Sequence, residues 1–166
     1  MSKAPRDFLE LFQYLNANNV EYLIVGGYAL MYYGYPVNLD DLDLFISPDP
    51  KNIQKLLQAL NDFGFSDLGL SMQDFSDPEK LVRLGYPPEQ LDIVSSISSV
   101  SWKEAWEQRI TGTFWGVPVQ IISKDLLIKN KRSRGRPQDI RDAETLARLD
   151  IENMIDRSPF SEPLIP

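Results

Sequence analysis

Cysteine and histidine are both absent from the 166-residue chain. Their absence removes thiol nucleophiles, disulfides, zinc sites of the usual kind, and every Ser-His or Cys-His relay. Proton transfer in such a chain falls to Asp, Glu, Lys or Tyr, or is left to a metal ion. Long apolar runs are missing too. No stretch approaches the roughly 20 residues that span a bilayer, and Met1-Ser2-Lys3-Ala4-Pro5-Arg6 has no apolar run with a cleavage site behind it. Neither a membrane segment nor an export signal is expected, and a cytoplasmic location is the default. Basic charge is scarce: the net charge is −7, which argues against broad non-specific binding to duplex nucleic acid.

The basic side chains that do occur are focused. Lys129, Lys131, Arg132, Arg134 and Arg136 fall in one acid-free stretch, enough to hold a triphosphate or a short piece of RNA. The same run also reads as a solvated helix end favoured by the helix dipole. With 43% hydrophobic residues, the chain is long enough for one domain with a core of its own. We place that domain at residues 1–157 and expect a loosely ordered, proline-rich tail at 158–166.

Hydrophobic spacing sets the expected elements. Phe8, Leu9, Phe12 and Leu15 describe an amphipathic helix ending near Asn18-Asn19. Tyr22 to Val25 reads as a short buried strand, Gly26-Gly27 as the turn out of it, and residues 28–33 as a helix stopped by Gly34 and Pro36. A strand over residues 41–46 follows, then a helix through Ile53, Leu56, Leu57 and Leu60. Residues 65–78 read as loop with a short helix. Two further strands near 81–84 and 91–94 are joined through Gly85-Tyr86-Pro87-Pro88. A short helix from Trp102, a hairpin around Trp115-Gly116, a helix capped by Ser123 or Asp125, and a last helix from Arg136-Pro137 complete the chain. The sum is a chain that mixes helices with strands, of the α+β class.

Acids set into the apolar strands carry the chemistry. In Leu39-Asp40-Asp41-Leu42-Asp43-Leu44-Phe45-Ile46, strand alternation sends Leu42, Leu44 and Ile46 to one face and Asp41, Asp43 and Phe45 to the other. Two carboxylates emerging together need a cation, and carboxylate oxygens suit Mg²⁺ or Mn²⁺. Asp92, in Leu91-Asp92-Ile93-Val94, is a third such acid. Three carboxylates converging beside the Gly26-Gly27 turn would suit phosphoryl or nucleotidyl transfer, because glycine lets the backbone approach phosphate closely. Lys129, Lys131 and Arg136 are the residues expected to neutralise its oxygens. Each element also has a plain structural reading. The acidic pair reads as a solvated strand end, Asp92 as the partner of an arginine such as Arg83, and Asp139 and Asp142 as acids favoured by a helix dipole.

Together, Val25-Gly26-Gly27-Tyr28-Ala29-Leu30, Gly34, Asp41-Leu42-Asp43, Leu91-Asp92-Ile93-Val94, Lys129-Asn130-Lys131 and Gly135-Arg136-Pro137-Gln138-Asp139-Ile140-Arg141-Asp142 resemble the nucleotidyltransferase superfamily. The likeness is to its small stand-alone prokaryotic members, which include abortive-infection and toxin–antitoxin proteins, and it implies a small mixed β-sheet flanked by helices. The resemblance implies that Asp41, Asp43 and Asp92 form a catalytic, metal-binding triad for Mg²⁺ or Mn²⁺, with Gly26 and Gly27 in the nucleotide loop. The implied reaction moves a nucleoside monophosphate from an NTP to an RNA end, a protein hydroxyl or a small molecule. Many relatives carry an arginine and a threonine four and two residues before the first aspartate, where this chain has Val37 and Leu39. The alternative reading is therefore a protein of the same fold that transfers slowly or not at all and binds a cognate protein partner in a two-component system. A metal-dependent glycosyltransferase would also use Asp-x-Asp, but generally needs a larger sheet and acceptor region.

Overall fold

The structure is a computed structural model, and it describes residues 6–36 and 40–149. Val37 and Leu39, and the tail expected at 158–166, lie outside the described residues.

The chain order is α1 (Arg6–Ala17), β1 (Tyr22–Val25), α2 (Gly26–Tyr32), β2 (Asp41–Ile46), α3 (Pro50–Leu60), α4 (Met72–Ser76), β3 (Leu81–Leu84), β4 (Gln90–Val94), α5 (Trp102–Glu107), β5 (Ile110–Phe114), β6 (Val117–Ile121), α6 (Lys124–Arg134) and α7 (Pro137–Arg148). The strands form one sheet in the order β3-β4-β2-β1-β6-β5. It is mixed: β1 runs antiparallel to β2 and parallel to β6, and β2 runs parallel to β4. The two hairpins, β3–β4 and β5–β6, form its edges. This is the small mixed sheet flanked by helices that the resemblance implies.

Strand alternation gives the sheet two unlike faces. Leu42, Leu44 and Ile46 are fully buried on the face where Tyr22 stacks on Phe12 of α1 at 6.1 Å, and α3 packs beside α1. Asn52 of α3 ties that layer to the sheet, accepting from the Glu21 amide at 2.7 Å and donating to its carbonyl at 3.0 Å. On the opposite face Phe45 meets Trp102 of α5 edge-on at 5.0 Å, and Asp41 and Asp43 emerge beside it.

Local signals account for most of the helix ends. Asp49 accepts from the Lys51 amide at 2.8 Å ahead of Pro50 in the first turn of α3. Of the two caps considered for α6, Ser123 is the one used, accepting from Leu126. Residues 65–78 hold more than the expected short helix. A wide π-type turn over Asn61–Phe65 and a 3₁₀ turn over Ser66–Leu68 precede α4, since Gly64 and Gly69, both at positive φ, interrupt regular helix.

Candidate active site

Asp41 and Asp43 stand two residues apart on β2. Asp92 on β4 is the direct parallel neighbour of Asp43, and Val25 at the end of β1 is its antiparallel neighbour. A carboxylate oxygen from each of the three acids lies within 4.8 Å of the other two. The strand pairing alone produces this convergence, because side chains directly opposite one another across a ladder share a face. The three acids line a cavity of about 470 Å³ together with Gly26, Arg83, Lys131 and Arg134, a volume suited to a small ligand.

Burial and the charge of their neighbours act on Asp41 and Asp43 in the same direction. Burial pushes the Asp43 carboxyl up to about 7, with help from the charges of Asp41 and Asp92, while Lys131 and Arg134 oppose the rise. Asp41 is also raised, first by burial and then by Asp92. Asp92 is held differently: Arg83, directly across the β3–β4 ladder, donates from Nε to Oδ1 at 2.9 Å and from its terminal amino group to Oδ2 at 3.2 Å. The ion pair that gave Asp92 its plain structural reading is therefore present, and it sits inside the cavity with the triad.

Gly26 is the floor of this cavity. The chain leaves β1 with φ +67° at Gly26, a left-handed conformation that glycine adopts without strain. A Cβ there would overlap Asp43 Oδ2 and stand 2.9 Å from its Cγ. The Gly26-Gly27 pair differs from the expected turn in that α2 already begins at Gly26, so the reversal takes one residue, and Gly27 lies within the helix.

The basic stretch divides. Lys131 and Arg134 line the cavity. Lys129 does not; it pairs with Glu104 at 3.1 Å with its side chain half exposed. Arg136 does not line it either, and forks onto Asp139 with Nε to Oδ2 at 2.6 Å. Helical geometry separates Lys129 from Lys131, since residues two apart on α6 do not face each other, and Arg136 lies beyond α6, at the start of α7.

Asp139 and Asp142 are the largest departure from the sequence reading. Both are buried and hold the cations of the cavity wall. Lys131 Nζ, itself buried, lies 3.2 Å from Asp142 Oδ2 and 3.7 Å from Asp139 Oδ1, and Arg134 Nε lies 3.9 Å from Asp139 Oδ2. Hydrogen bonding from Arg136, reinforced by the charges of Arg134, Arg136 and Lys131, holds the Asp139 carboxyl down to about 2. The helix dipole is a minor matter beside this network, which forms because α6 and α7 pack on each other around Gly135. Asn130 donates to the Ser98 carbonyl at 3.0 Å and Ser133 bonds the Ser98 hydroxyl at 2.7 Å, fixing the loop after β4 to the same helix. The spacing Lys131, Asp139, Asp142 was visible in the sequence, but its meaning depends on the α6–α7 reversal.

A larger hollow, about 570 Å³, lies between the start of α1 and the β3–β4 turn, walled by Phe8, Phe63, Phe65 and Tyr86. None of the triad lines it, so volume alone does not mark the site.

Comparisons with known proteins identify the fold and the family. A search of curated proteins finds no match. Among solved structures, the chain is similar to ANT(2")-Ia in complex with adenylyl-2"-tobramycin, with a TM-score of 0.56 and 18% identity over 91% of this chain and 93% of that one. It is also similar to an antigenic nucleotidyltransferase-like protein from Paracoccidioides brasiliensis, with a TM-score of 0.50 and 23% identity over 84% of this chain and 75% of that one. At these identities the likeness is one of fold, and the fold is nucleotidyltransferase-like. Residues 6–158 match the family described as "Nucleotidyltransferase of unknown function (DUF6036)", and the chain belongs to that family.

Proposed function

We propose that the chain moves a nucleoside monophosphate from an NTP to a hydroxyl acceptor, using Mg²⁺ or Mn²⁺ held by Asp41, Asp43 and Asp92. The observation that carries this reading is the convergence of the three carboxylates from two paired strands in a cavity that Lys131 and Arg134 also line. The donor set fits a hard divalent cation: three carboxylates and no nitrogen or sulfur ligand. Charge supports the fit as well, since two of the acids are raised by burial and repulsion that a cation would relieve.

When bound, divalent cations supply charge neutralisation on the triphosphate and acidify an attacking hydroxyl. The chain's own groups do the rest. Lys131 and Arg134 stabilise the triphosphate oxygens, with Lys131 aimed by Asp139 and Asp142 so that its ammonium enters the cavity in one orientation. Gly26 leaves the floor free of a side chain, so the phosphate chain approaches backbone. The acceptor oxygen bonds to the α-phosphorus, the bond to the bridging oxygen of the β-phosphate breaks, and pyrophosphate leaves. Asp92 orients the acceptor hydroxyl and takes its proton.

The acceptor class is an RNA end, a protein hydroxyl or a small molecule, and the fold accommodates the last of these: the ANT(2")-Ia complex contains an adenylylated tobramycin. A cytoplasmic site of action would supply the NTP. The test is incubation with each α-labelled NTP, Mg²⁺ or Mn²⁺, and fractionated RNA, protein and small-molecule pools. Label should enter one pool with the wild type and none with Asp41→Asn. Equal incorporation by both proteins would remove the triad from the chemistry.

A further inference from the structure

Arg83 is the charged group of the cavity for which nucleotidyl transfer leaves no task. It stands on the edge strand β3, directly opposite Asp92, and its guanidinium spans both oxygens of that carboxylate at 2.9 and 3.2 Å. The planar fork is a geometry that lysine does not reproduce. Gln90 Nε2 reaches the same two oxygens at 3.2 and 3.3 Å. The two partners are unequally held: Asp92 is 4% exposed, whereas the Arg83 side chain is 58% exposed. The carboxylate is fixed in the sheet, and the arginine is the partner with room to withdraw.

Asp92 offers the triad one of the two oxygens that Arg83 covers. A guanidinium and a divalent cation would compete for the same lone pairs, and two cations at one carboxylate repel. We propose that Arg83 is an exchangeable counter-ion of the metal site, neutralising Asp92 in the cation-free protein and surrendering at least one of its oxygens when Mg²⁺ or Mn²⁺ binds. The inference rests on the transferase reading only in requiring that the triad binds a divalent cation. It has two consequences. Cation affinity is held down in the absence of substrate, because binding must displace Arg83. Displacement also uncovers Asp92 for the acceptor hydroxyl as the site becomes loaded, so the acceptor-facing carboxylate is capped whenever the cation is missing.

The experiment is titration of Mn²⁺ into the cation-stripped full chain without nucleotide, with free ion followed by electron paramagnetic resonance. Arg83→Gln should bind Mn²⁺ at least about tenfold more tightly than the wild type, the scale of losing a hydrogen bond to a charged group. Arg83→Lys, which keeps the charge but loses the fork, should also bind more tightly than the wild type, though by less than Arg83→Gln. Arg134→Gln removes the same charge from the cavity without touching Asp92 and should gain less than Arg83→Gln. Mn²⁺ should raise the melting temperature of Arg83→Gln by more than it raises that of the wild type. Equal or weaker binding by Arg83→Gln overturns the proposal, and so does an equal gain in Arg134→Gln, which would assign the effect to net charge alone. Binding by the wild type with no gain in Arg83→Gln leaves the transferase reading intact; absence of binding in every protein removes both. Should Arg83→Gln fail to fold without cation, unchanged affinity in Arg83→Lys overturns the proposal.

Discussion

Replacing Gly26 by alanine tests the site through a single methyl group. The added Cβ would overlap Asp43 Oδ2 and stand 2.9 Å from Asp43 Cγ, well inside the roughly 3.5–4.0 Å at which carbon atoms make favourable contact. The φ of +67° adds a backbone cost for alanine of about 1–2 kcal/mol. In a domain of this size each kcal/mol lowers the melting temperature by about 2–4 °C, so backbone strain alone predicts a fall of roughly 2–8 °C. Relief of the overlap requires the Asp43 side chain to move from its present place beside the other two carboxylates. Gly26→Ala should therefore lose Mn²⁺ affinity by at least about tenfold, the loss of one charge-assisted ligand, even at temperatures where the variant is fully folded. The assays are thermal unfolding by circular dichroism and Mn²⁺ titration on the same preparation. Wild-type Mn²⁺ affinity in a folded Gly26→Ala protein would refute the reasoning, because it would mean that Asp43 tolerates the methyl group or takes no part in binding.

Four further outcomes follow from the same geometry. Asp41→Asn and Asp43→Asn should each abolish transfer and weaken metal binding while leaving the far-ultraviolet circular dichroism spectrum unchanged. The Asp43 carboxyl titrates at about 7 in the folded protein and near 3.8 when unfolded, so between those values the native state holds a proton that the unfolded state has lost. In chelator, wild-type stability should thus fall as pH rises from about 4 to about 7, and Asp43→Asn should lack that component; equal urea midpoints for wild type at pH 5 and pH 8, relative to the variant, would contradict this. Lys131→Met removes the cation between buried Asp139 and Asp142 and should cost about 3 kcal/mol or more in urea unfolding, as breaking a buried pair does, together with NTP affinity. Lys129→Ala loses only an exposed pair with Glu104, so its stability should stay within about 0.5 kcal/mol of the wild type and its NTP affinity should not change.

The strands that carry the acids were legible because their signals are local. Tyr22-Leu23-Ile24-Val25 and Leu42, Leu44 and Ile46 are apolar with the right period and are bounded by Gly26 and by Ser47-Pro48, so both strand limits and the face of each aspartate follow from alternation. That the Asp92 strand lies beside the strand of Asp41 and Asp43 was a condition the sequence left open, and the parallel register of β2 on β4 meets it by setting Asp43 opposite Asp92. What stayed hidden depends on how helices turn back on one another. Lys129, Lys131 and Arg136 were equivalent as charges in a sequence, yet α6 turns Lys131 inward and Lys129 toward Glu104, while the reversal at Gly135 gives Arg136 to Asp139. Asp139 and Asp142 looked like dipole-favoured acids because their partner lies on another helix. The segment 65–78 was hard to read for a different reason: Gly64 just before it and Gly69 within it break any helical period, leaving short turns without an apolar stripe.

The central claim is that Asp41, Asp43 and Asp92 form a cation-dependent nucleotide site. Calorimetric titration of each NTP into the wild type and Asp41→Asn, with and without Mg²⁺ or Mn²⁺, tests it most directly. The account predicts binding of at least one NTP by the wild type only when the cation is present, and loss of that binding in Asp41→Asn. Nucleotide binding of equal strength with and without cation, or retained in full by Asp41→Asn, would contradict it.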